Sequence, residues 1–425
     1  MKLIDFFRSK EAGARQKQPR AMASEVGYFS GLNDPRLLEV IRGGGSMSGA
    51  GVAVTAEAAL SVAAVWRCVS IIANSVASLP LHLMSEDRRD PRVKIKATGH
   101  PLFSVLYAAP NGWQSSFEFR NAMMMNVLLF GNAYAYKVMG SDGNVRQLIP
   151  IRADMVEVHQ RDDFMLEYIE RRDKGGSRKY AQDEIFHLRD ISITGLSGDP
   201  RLRRMRNAIG LAIQTELFGS SLFANGANPG SAFCHPGAIS AEAFERLKSS
   251  VEEHVGAGRA NKNIILEEGI QFKPLGMTNE DSQFIDTRRF QISEIAMFFG
   301  VPPHMLGDTK ATTSWGTGIE QQNIGYLQYT VGPWITAWEQ AIIRDLILLR
   351  DRGSIYPKFN VSGLLRSSAS DRAAYFSAAL GSGGSPGWMT PNEVRALEEL
   401  PPIEGGDSLP NTAPAAAAMK LKTVA

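Results

Sequence analysis

The stretch DPRLRRMRNAIGLAIQTELFGSSLFANGANPG, residues 199–230, predicts a long helix. Asp199 suits the N-cap, and Pro200 is favoured at the first helical position. Apolar side chains then recur at helical spacing and form one stripe: Leu202, Met205, Ile209, Ile213 and Leu217. Asn228-Pro229-Gly230 ends the helix. A helix whose stripe finds no partner in its own subunit buries it against neighbours, so we expect assembly through such helices.

A second long helix is predicted over residues 281–299, ended by Gly300 and the Pro302-Pro303 pair. Between the two helices, residues 229–277 read as a compact insert of strand, helix and strand. Ser240 caps the inserted helix, with Glu242 in its first turn. The order is therefore helix, small α/β insert, helix.

A segment rich in Thr, Gly and Ser follows at residues 307–318, and this composition favours a mobile loop. A helical pattern then runs over 319–350, with Gly332-Pro333 inside it. Proline inside a helix removes a hydrogen-bond donor, so we predict a kink or break there.

The first half of the chain mixes both kinds of structure, which makes the fold class α+β. Helices are predicted near residues 55–79 and over Ser116 to Phe130, where Gly131 stops the second one. A meander of strands then occupies 133–139, 145–151, 155–159, 164–171 and 185–188. Ser141-Asp142-Gly143-Asn144 is a strong hairpin turn between the first two.

The ends have a different character. Residues 1–50 are expected to be a flexible basic arm, with Lys10, Arg15, Lys17 and Arg20. Thr390 to Glu393 reads as a capping box that starts a late helix. Residues 403–425 are rich in Ala, Pro and Gly, and we expect them to be disordered.

Composition narrows the function classes. The formal net charge of +2 argues against tight general DNA binding, because proteins that grip many phosphates carry a marked basic excess. Cys68 and Cys234 lie far apart, so neither a disulfide framework nor a zinc site is indicated. We predict no membrane segment and no signal peptide, since Asp5 and Arg8 interrupt the first apolar residues.

Motifs for chemistry are missing or out of context. We find no phosphate-binding loop of the GxxxxGK[ST] type and no HExxH, and we predict no catalytic residue, metal or cofactor. Gly383-Gly384-Ser385-Pro386-Gly387 matches GxSxG, but it lies in a Gly/Ser linker without the preceding strand that a nucleophilic serine needs. A serine hydrolase built on Ser385 therefore stays a remote alternative.

Six short stretches in one order resemble the portal proteins of long-tailed bacteriophages. They are Trp66 to Leu81, His100 to Arg120, Phe130 to Ile151, Ala224 to Gly230, Glu294 to Pro303, and Ile319 to Gln321 with Thr330 to Trp334. No single stretch is specific, but their common order across residues 55 to 350 is.

This resemblance implies a ring subunit, twelve copies of which surround the DNA channel at one capsid vertex. The implied parts are a wing (51–198), stem helix 1 (199–228), a clip (229–277), stem helix 2 (278–306), a tunnel loop (307–318), a kinked wing helix (319–360) and a helical crown (361–402). The implied partners are further copies of the chain, the large terminase subunit, a head–tail connector, the major capsid protein and scaffold, and double-stranded DNA bound without sequence preference. The implied location is the virion, assembled in the host bacterial cytoplasm.

Three residue groups are candidate sites under this resemblance. The tunnel loop offers Thr309, Lys310, Thr312, Thr313, Ser314 and Trp315 to DNA, and packing beneath the loop suits Trp315 best. The basic run is Arg201, Arg203, Arg204 and Arg206, which touches DNA, pairs with a neighbour's acids or is simply solvated. The clip helix presents a charged face for terminase docking or for solvent: Glu242, Glu245, Arg246, Lys248, Glu252 and Glu253.

Two further alternatives remain open. A head–tail adaptor would also form a ring, but adaptors are generally much shorter and lack the helix–insert–helix order. A portal-like subunit of a phage-derived particle that transfers host DNA would have the same sequence features, so the sequence leaves this alternative standing.

Overall fold

The computed structural model describes residues 46–86, 94–172, 175–224, 231–234, 271–274, 280–307, 317–361, 369–381, 386–398 and 400–409, together with 240, 242, 244 and 245. Helices and antiparallel strands are interleaved along these residues. The predicted α+β class is therefore confirmed.

The helices are α1 (Ala56–Ser61), α2 (Ala63–Ser78), α3 (Pro101–Tyr107), α4 (Ser116–Phe130), α5 (Arg201–Ala224), α6 (Glu280–Phe299), α7 (Thr317–Tyr326), α8 (Gly332–Asp345), α9 (Ala369–Ala379) and α10 (Pro391–Leu397). The helix predicted near 55–79 is in fact two helices, because Val62 adopts an extended conformation between them. The predicted ends of α4 are confirmed: a Ser115/Glu118 capping box starts it, and left-handed Gly131 stops it.

The strands lie in small antiparallel sheets. In one sheet, β5 (Asn132–Met139) pairs with β6 (Val145–Ile151) and β10 (Ile185–Arg189). In the second, β8 (Leu166–Arg171) pairs with β7 (Val156–Gln160) and β9 (Ser177–Ala181). In the third, β3 (Leu81–Glu86) pairs with β4 (Lys94–Lys96) and β13 (Ile355–Phe359). Two two-stranded sheets complete the described set: the hairpin of β1 (Ser46–Met47) with β2 (Ala53–Val54), and β11 (Ser231–Cys234) with β12 (Gln271–Pro274).

Several of these elements were not predicted. The pairing of β3 with β13 joins residues about 270 positions apart, and a local periodicity carries no information about such a partner. Phe164, expected in a strand, is instead a turn residue with φ of 65°. The strand β9 and the helix α9 were also missed.

The main core lies between α2, α4 and α8, and a buried arginine ties its parts together. Arg120 on α4 donates to Ala77 O and Leu79 O at the end of α2 (2.7 and 3.2 Å) and to Leu106 O at the end of α3 (3.3 Å). Three helix-end carbonyls thus obtain a donor. Burial lowers the pKa of Arg120 to about 10, so the side chain still carries its charge at neutral pH.

The predicted interruption of the late helix is present, and its form is a π turn. Residues Leu327–Val331 form this turn between α7 and α8. Gly332 N donates to Leu327 O, five residues back, and Pro333, which has no N–H, follows it. Thr330 Oγ1 donates to Gly300 O (2.5 Å), so the π turn contacts the end of α6.

Residues that were expected to be flexible are partly ordered at both ends. Residues 46–50, assigned to the N-terminal arm, belong to the β1–β2 hairpin and its turn; the arm before residue 46 lies outside the described residues. Residues 403–409 are held by Asn392, which donates to Ile403 O (3.0 Å) and to the Asp407 carboxylate (2.8 Å). The predicted disorder of residues 403–409 is therefore wrong, and residues 410–425 lie outside the described residues.

The β1–β2 hairpin lies on α5 where the helix has no side chain. A Cβ placed on Gly210 would come within 2.2 Å of Ser48 Oγ and 2.4 Å of its Cβ. Gly49 N donates to Asn207 Oδ1 (2.9 Å) one turn earlier. The absence of a side chain at Gly210 is therefore what lets the hairpin approach the helix.

We predict that Gly210→Ala displaces this hairpin, because a methyl group cannot share the space of the Ser48 side chain. Limited proteolysis within residues 46–54 should become faster than in the parent protein. The double variant Gly210→Ala with Ser48→Gly restores the space and should regain protection. Equal protection of the single variant would contradict the close contact.

A buried polar cluster joins β5, β8 and β10 around His187, which is 2 % exposed. The Nδ1 atom of the His187 ring lies 3.1 Å from Tyr168 OH, and the Nε2 atom lies 2.9 Å from Asn132 Oδ1. Because an amide oxygen only accepts, Nε2 carries the proton and Nδ1 accepts from the tyrosine. Burial holds the pKa of His187 well below its usual value, and Arg189 and Arg344 act in the same direction.

This cluster predicts a loss of stability in acid. Native His187 stays neutral while unfolded His187 takes up a proton below pH ~6.5, so the free energy of unfolding falls as pH drops through that value. The contribution is about 1.4 kcal/mol per pH unit for one proton. Thermal unfolding between pH 5 and 8 should show a shallower acid decline for His187→Gln than for the parent. The exposed His159→Gln control should keep the parental slope, and equal slopes for all three would refute the assignment.

Candidate functional site: the paired long helices

The two long helices pack against each other in opposite directions. Gln291 Nε2 on α6 donates to Thr215 Oγ1 on α5 (2.9 Å), and Arg201 Nη1 at the start of α5 reaches Phe298 O near the end of α6 (3.5 Å). Residue numbers therefore rise along one helix as they fall along the other. Within the described residues, α5 and α6 are therefore antiparallel.

The start of α5 is fixed by a close approach of two glycines. Gly131 has φ of 74°, and a Cβ on Gly198 would lie 2.0 Å from Gly131 O. The Asn132 side chain holds the contact, since its Oδ1 accepts from Gly198 N (2.8 Å) and its Nδ2 donates to Gly198 O (3.0 Å). The β5–β10 sheet is thus bound directly to the segment that begins the long helix.

The predicted arginine run lies on the first two turns of α5. Arg201 binds the Asp190 carboxylate with two nitrogens (2.5 and 3.0 Å), and its guanidinium lies over the Trp334 ring at 5.4 Å. Arg204 pairs with Asp199 of the same subunit. Arg203 is exposed, and Arg206 donates to Arg203 O (2.9 Å). Two of the four cations are therefore neutralised within the chain.

The apolar stripe predicted on α5 does not form the assembly surface. Leu202, Met205, Ile209 and Ile213 are all buried within the subunit. A different face of α5 exposes Leu211 and Phe218, seven residues apart, and α6 exposes Phe290 and Met297 at the same spacing (68 % and 72 %). Seven residues are two helical turns, so each helix has an outer apolar face. This outer apolar face was not predicted from the sequence, because its exposed apolar residues are more widely spaced than those of the buried stripe.

Beside this outer face lies a cleft of about 480 Å³ between the end of α6, the π turn and α8. Its lining includes Ile191, Phe298, Tyr329 and Trp334, with the Arg201–Asp190 pair at one side. Large exposed apolar areas on soluble subunits mark protein–protein contacts. The helix pair and the cleft together form a candidate assembly surface.

All six residues predicted for the tunnel loop, Thr309, Lys310, Thr312, Thr313, Ser314 and Trp315, lie outside the described residues. The described flanks of this loop are a 3₁₀ helix, Pro303–Leu306, and the start of α7. His304 Nε2 and Asn323 Oδ1 are 3.1 Å apart, so a hydrogen bond joins the two flanks.

In the predicted clip, Glu242 and Glu245 are exposed. Arg246, Lys248, Glu252 and Glu253 lie outside the described residues, as does Ser385 of the GxSxG match. Within the described residues, no cluster of His, Cys, Asp or Glu could hold a metal ion, and no helix is long and apolar enough to cross a membrane.

Comparison with known proteins agrees with this geometry. The family model described as phage portal protein matches residues 63–399. The portal protein of Enterobacteria phage HK97 is 38% identical over 368 residues, covering 83% of this chain and 81% of the relative. The probable portal protein of Streptomyces phage phiC31 is 29% identical over 375 residues, 85% of this chain and 79% of the relative.

Solved structures show the same fold. A chain in the neck of an empty gene transfer agent particle, computed with C6 symmetry, superposes with a TM-score of 0.58 at 26% identity, over 80% of this chain and 90% of the other. A phage portal protein of the HK97 family from Corynebacterium diphtheriae gives 0.53 at 19% identity, over 74% and 98%. With a family model spanning residues 63–399 and a curated portal protein 38% identical over most of both chains, this chain belongs to the phage portal protein family.

Proposed function

We propose that this chain is the subunit of a ring at one capsid vertex, and that the ring is the channel through which DNA is packaged and ejected. The observation that carries the proposal is the antiparallel α5–α6 pair, whose inner faces are buried while its outer faces expose Phe290 and Met297. Closed rings arise when one surface of a subunit binds a different surface of the next. The neck structures computed with C6 and C12 symmetry support a homo-oligomer, and the C12 one supports twelve copies.

The proposed parts of the subunit follow its element order. Residues 51–198 are the wing, and 361–402 are the crown. The helices α5 and α6 are the two stem helices, and the insert 229–277 between them is the clip. The segment 307–318 is the tunnel loop, and α7, the π turn and α8 form the wing helix within 319–360. On either side of this segment, His304 and Asn323 of α7 are joined by a hydrogen bond of 3.1 Å.

Charge supports a channel that lets DNA move. Many basic residues along the bore would hold phosphates through counterion release and slow the passage of DNA. The chain carries a net charge of only +2, and Arg201 and Arg204 are each paired with an acid of their own subunit. Of the basic run, this leaves Arg203 and Arg206 for DNA or for a neighbouring subunit.

We further propose that the exposed acids Glu242 and Glu245 belong to a clip surface that docks the large terminase subunit, the packaging motor. The same charged face would include Arg246, Lys248, Glu252 and Glu253. The head–tail connector, the major capsid protein and its scaffold complete the proposed partners. A subunit of a gene transfer particle is the second candidate, favoured by the neck structures, and the neighbouring genes distinguish the two.

Ring formation should depend on the outer face of α6. We predict that Phe290→Glu with Met297→Glu abolishes rings, because two carboxylates would have to be buried at the subunit contact. Electron microscopy of the purified full chain should show rings with a central hole for the parent and single subunits for the variant. Circular dichroism should confirm that the variant is folded.

Phe164→Glu is the matched control, since Phe164 is 80 % exposed but lies in the β7–β8 turn. It should leave ring formation unchanged. A parent protein that stays monomeric under all salt conditions would overturn the proposed function, and rings of the double variant at parental yield would remove α6 from the contact.

The tunnel loop should act through charge. We predict that Lys310→Ala leaves folding and ring assembly intact but changes DNA packaging or retention, because one phosphate contact per subunit is lost. The effect should shrink as the salt concentration rises. Filled particles should be counted at several ionic strengths. Equal filling and retention at every ionic strength would exclude this role for the loop.

A further inference from the structure

A second surface, remote in sequence from the long helices, presents an exposed tryptophan on a rigid loop. Trp113 is 65 % exposed, and among the described residues no ring contacts its indole. The buried Asn111 side chain fixes the loop: its Oδ1 accepts from Trp113 N (3.2 Å) and Gln114 N (2.9 Å), and its Nδ2 donates to Leu148 O on β6 (2.9 Å). The indole is thus held towards solvent by a buried anchor.

Two more exposed aromatic residues adjoin this loop. Ser116 N donates to Ala108 O (3.1 Å), and Ser116 Oγ donates to Leu106 O (2.5 Å). These bonds bring the end of α3, which carries Tyr107, beside the start of α4, which carries Phe117. Both side chains are exposed. Rigid exposed aromatic residues are the usual anchors of protein interfaces, because little side-chain freedom is lost on binding.

Tyr107, Trp113 and Phe117 are called the aromatic corner. Its Tyr107 contacts one face of the β13–β3–β4 sheet. The Tyr107 ring stacks on His82 of β3, with 5.3 Å between centroids. His82 is paired with Lys358, and Met84 is paired with Lys96. Directly paired residues point to the same side of a sheet, so both lysines lie on the face that carries His82. Lys94, two residues before Lys96, also points to this face.

The lysines on this face lack acidic partners among the residues that the structure describes. Among the residues that the structure describes, no carboxylate forms an ion pair with Lys94, Lys96 or Lys358, although Glu86 is opposite Lys94 in register. Lys94 Nζ lies over the Tyr356 ring at 5.4 Å. This local excess of positive charge stands out in a chain whose net charge is only +2.

We propose that these residues form a binding surface for an acidic, partly apolar segment of another protein. The aromatic–lysine surface consists of Tyr107, Trp113, Phe117, Lys94, Lys96 and Lys358. The aromatic corner provides the apolar anchors, and the three lysines pair with the acidic side chains. Lysines on both edge strands oppose strand addition, so the segment binds across the face of the sheet and does not extend it.

The aromatic geometry favours a protein over a nucleic acid. Proteins bind single-stranded nucleic acid by stacking bases on open aromatic faces. Tyr107 already stacks with His82 and with Phe103, each at 5.3 Å, so it offers its edge to a ligand. Trp113 and Phe117 are exposed, and such apolar side chains gain more from a protein partner than from phosphates.

Photo-crosslinking tests this surface. The full chain with Trp113→p-benzoylphenylalanine is produced together with the products of its neighbouring genes, irradiated, and the crosslinked peptide is sequenced. We expect a segment of another protein that contains several Asp or Glu residues and apolar residues. Adding Lys94→Glu, Lys96→Glu and Lys358→Glu should lower the crosslink yield roughly tenfold, because three exposed attractive pairs become repulsive.

Trp66→p-benzoylphenylalanine is the matched control, since Trp66 is similarly exposed on α2; its crosslinks should not respond to the lysine reversals. Changing the acids of the captured segment to Lys should restore the yield with the reversed chain. A nuclease-sensitive product, a second copy of this chain, a segment without acids, or no product would each overturn the proposal. Ring formation by the reversed chain, checked by electron microscopy, separates this outcome from failure of the ring proposal.

Discussion

The contact between Gly131 and Gly198 determines where the long helices lie relative to the rest of the subunit. Here two backbone segments meet with no room for a single Cβ, and the Asn132 amide satisfies both the N–H and the C=O of Gly198. A buried amide that donates and accepts at once fixes distance and direction together. His187 completes the arrangement by donating to the same Asn132 oxygen.

This junction explains how one helix can serve two purposes. The start of α5 is held by polar contacts to its own subunit, among them the Arg201–Asp190 pair, and its inner stripe is buried there as well. The outer faces of α5 and α6 are then free to be apolar without harming the fold of the subunit. Polar contacts thus specify the position of the helix pair, and in the proposed ring the exposed apolar area would provide the free energy of assembly.

Local signals in the sequence predicted local structure well. The Gly131 stop gave the end of α4, and the 141–144 turn gave the β5–β6 hairpin. Contacts between distant segments had no such signal, which is why β13 was missed as the partner of β3. The arginine run was identified, but its pairing with Asp190 and Asp199 depends on how the chain folds back. For the same reason the buried stripe of α5 was mistaken for the assembly surface.

The π turn lies between α7 and α8 and makes the rotation of one helix about its axis independent of the other. In a continuous α-helix the two rotations would be fixed together. One extra residue in an α-helix rotates everything beyond it by about 100°. Leu327–Val331 accommodate such a residue. The direction in which α7 faces therefore does not depend on how Trp338 of α8 packs against the core. The face that α7 presents can thus change without any change in how α8 packs against the core.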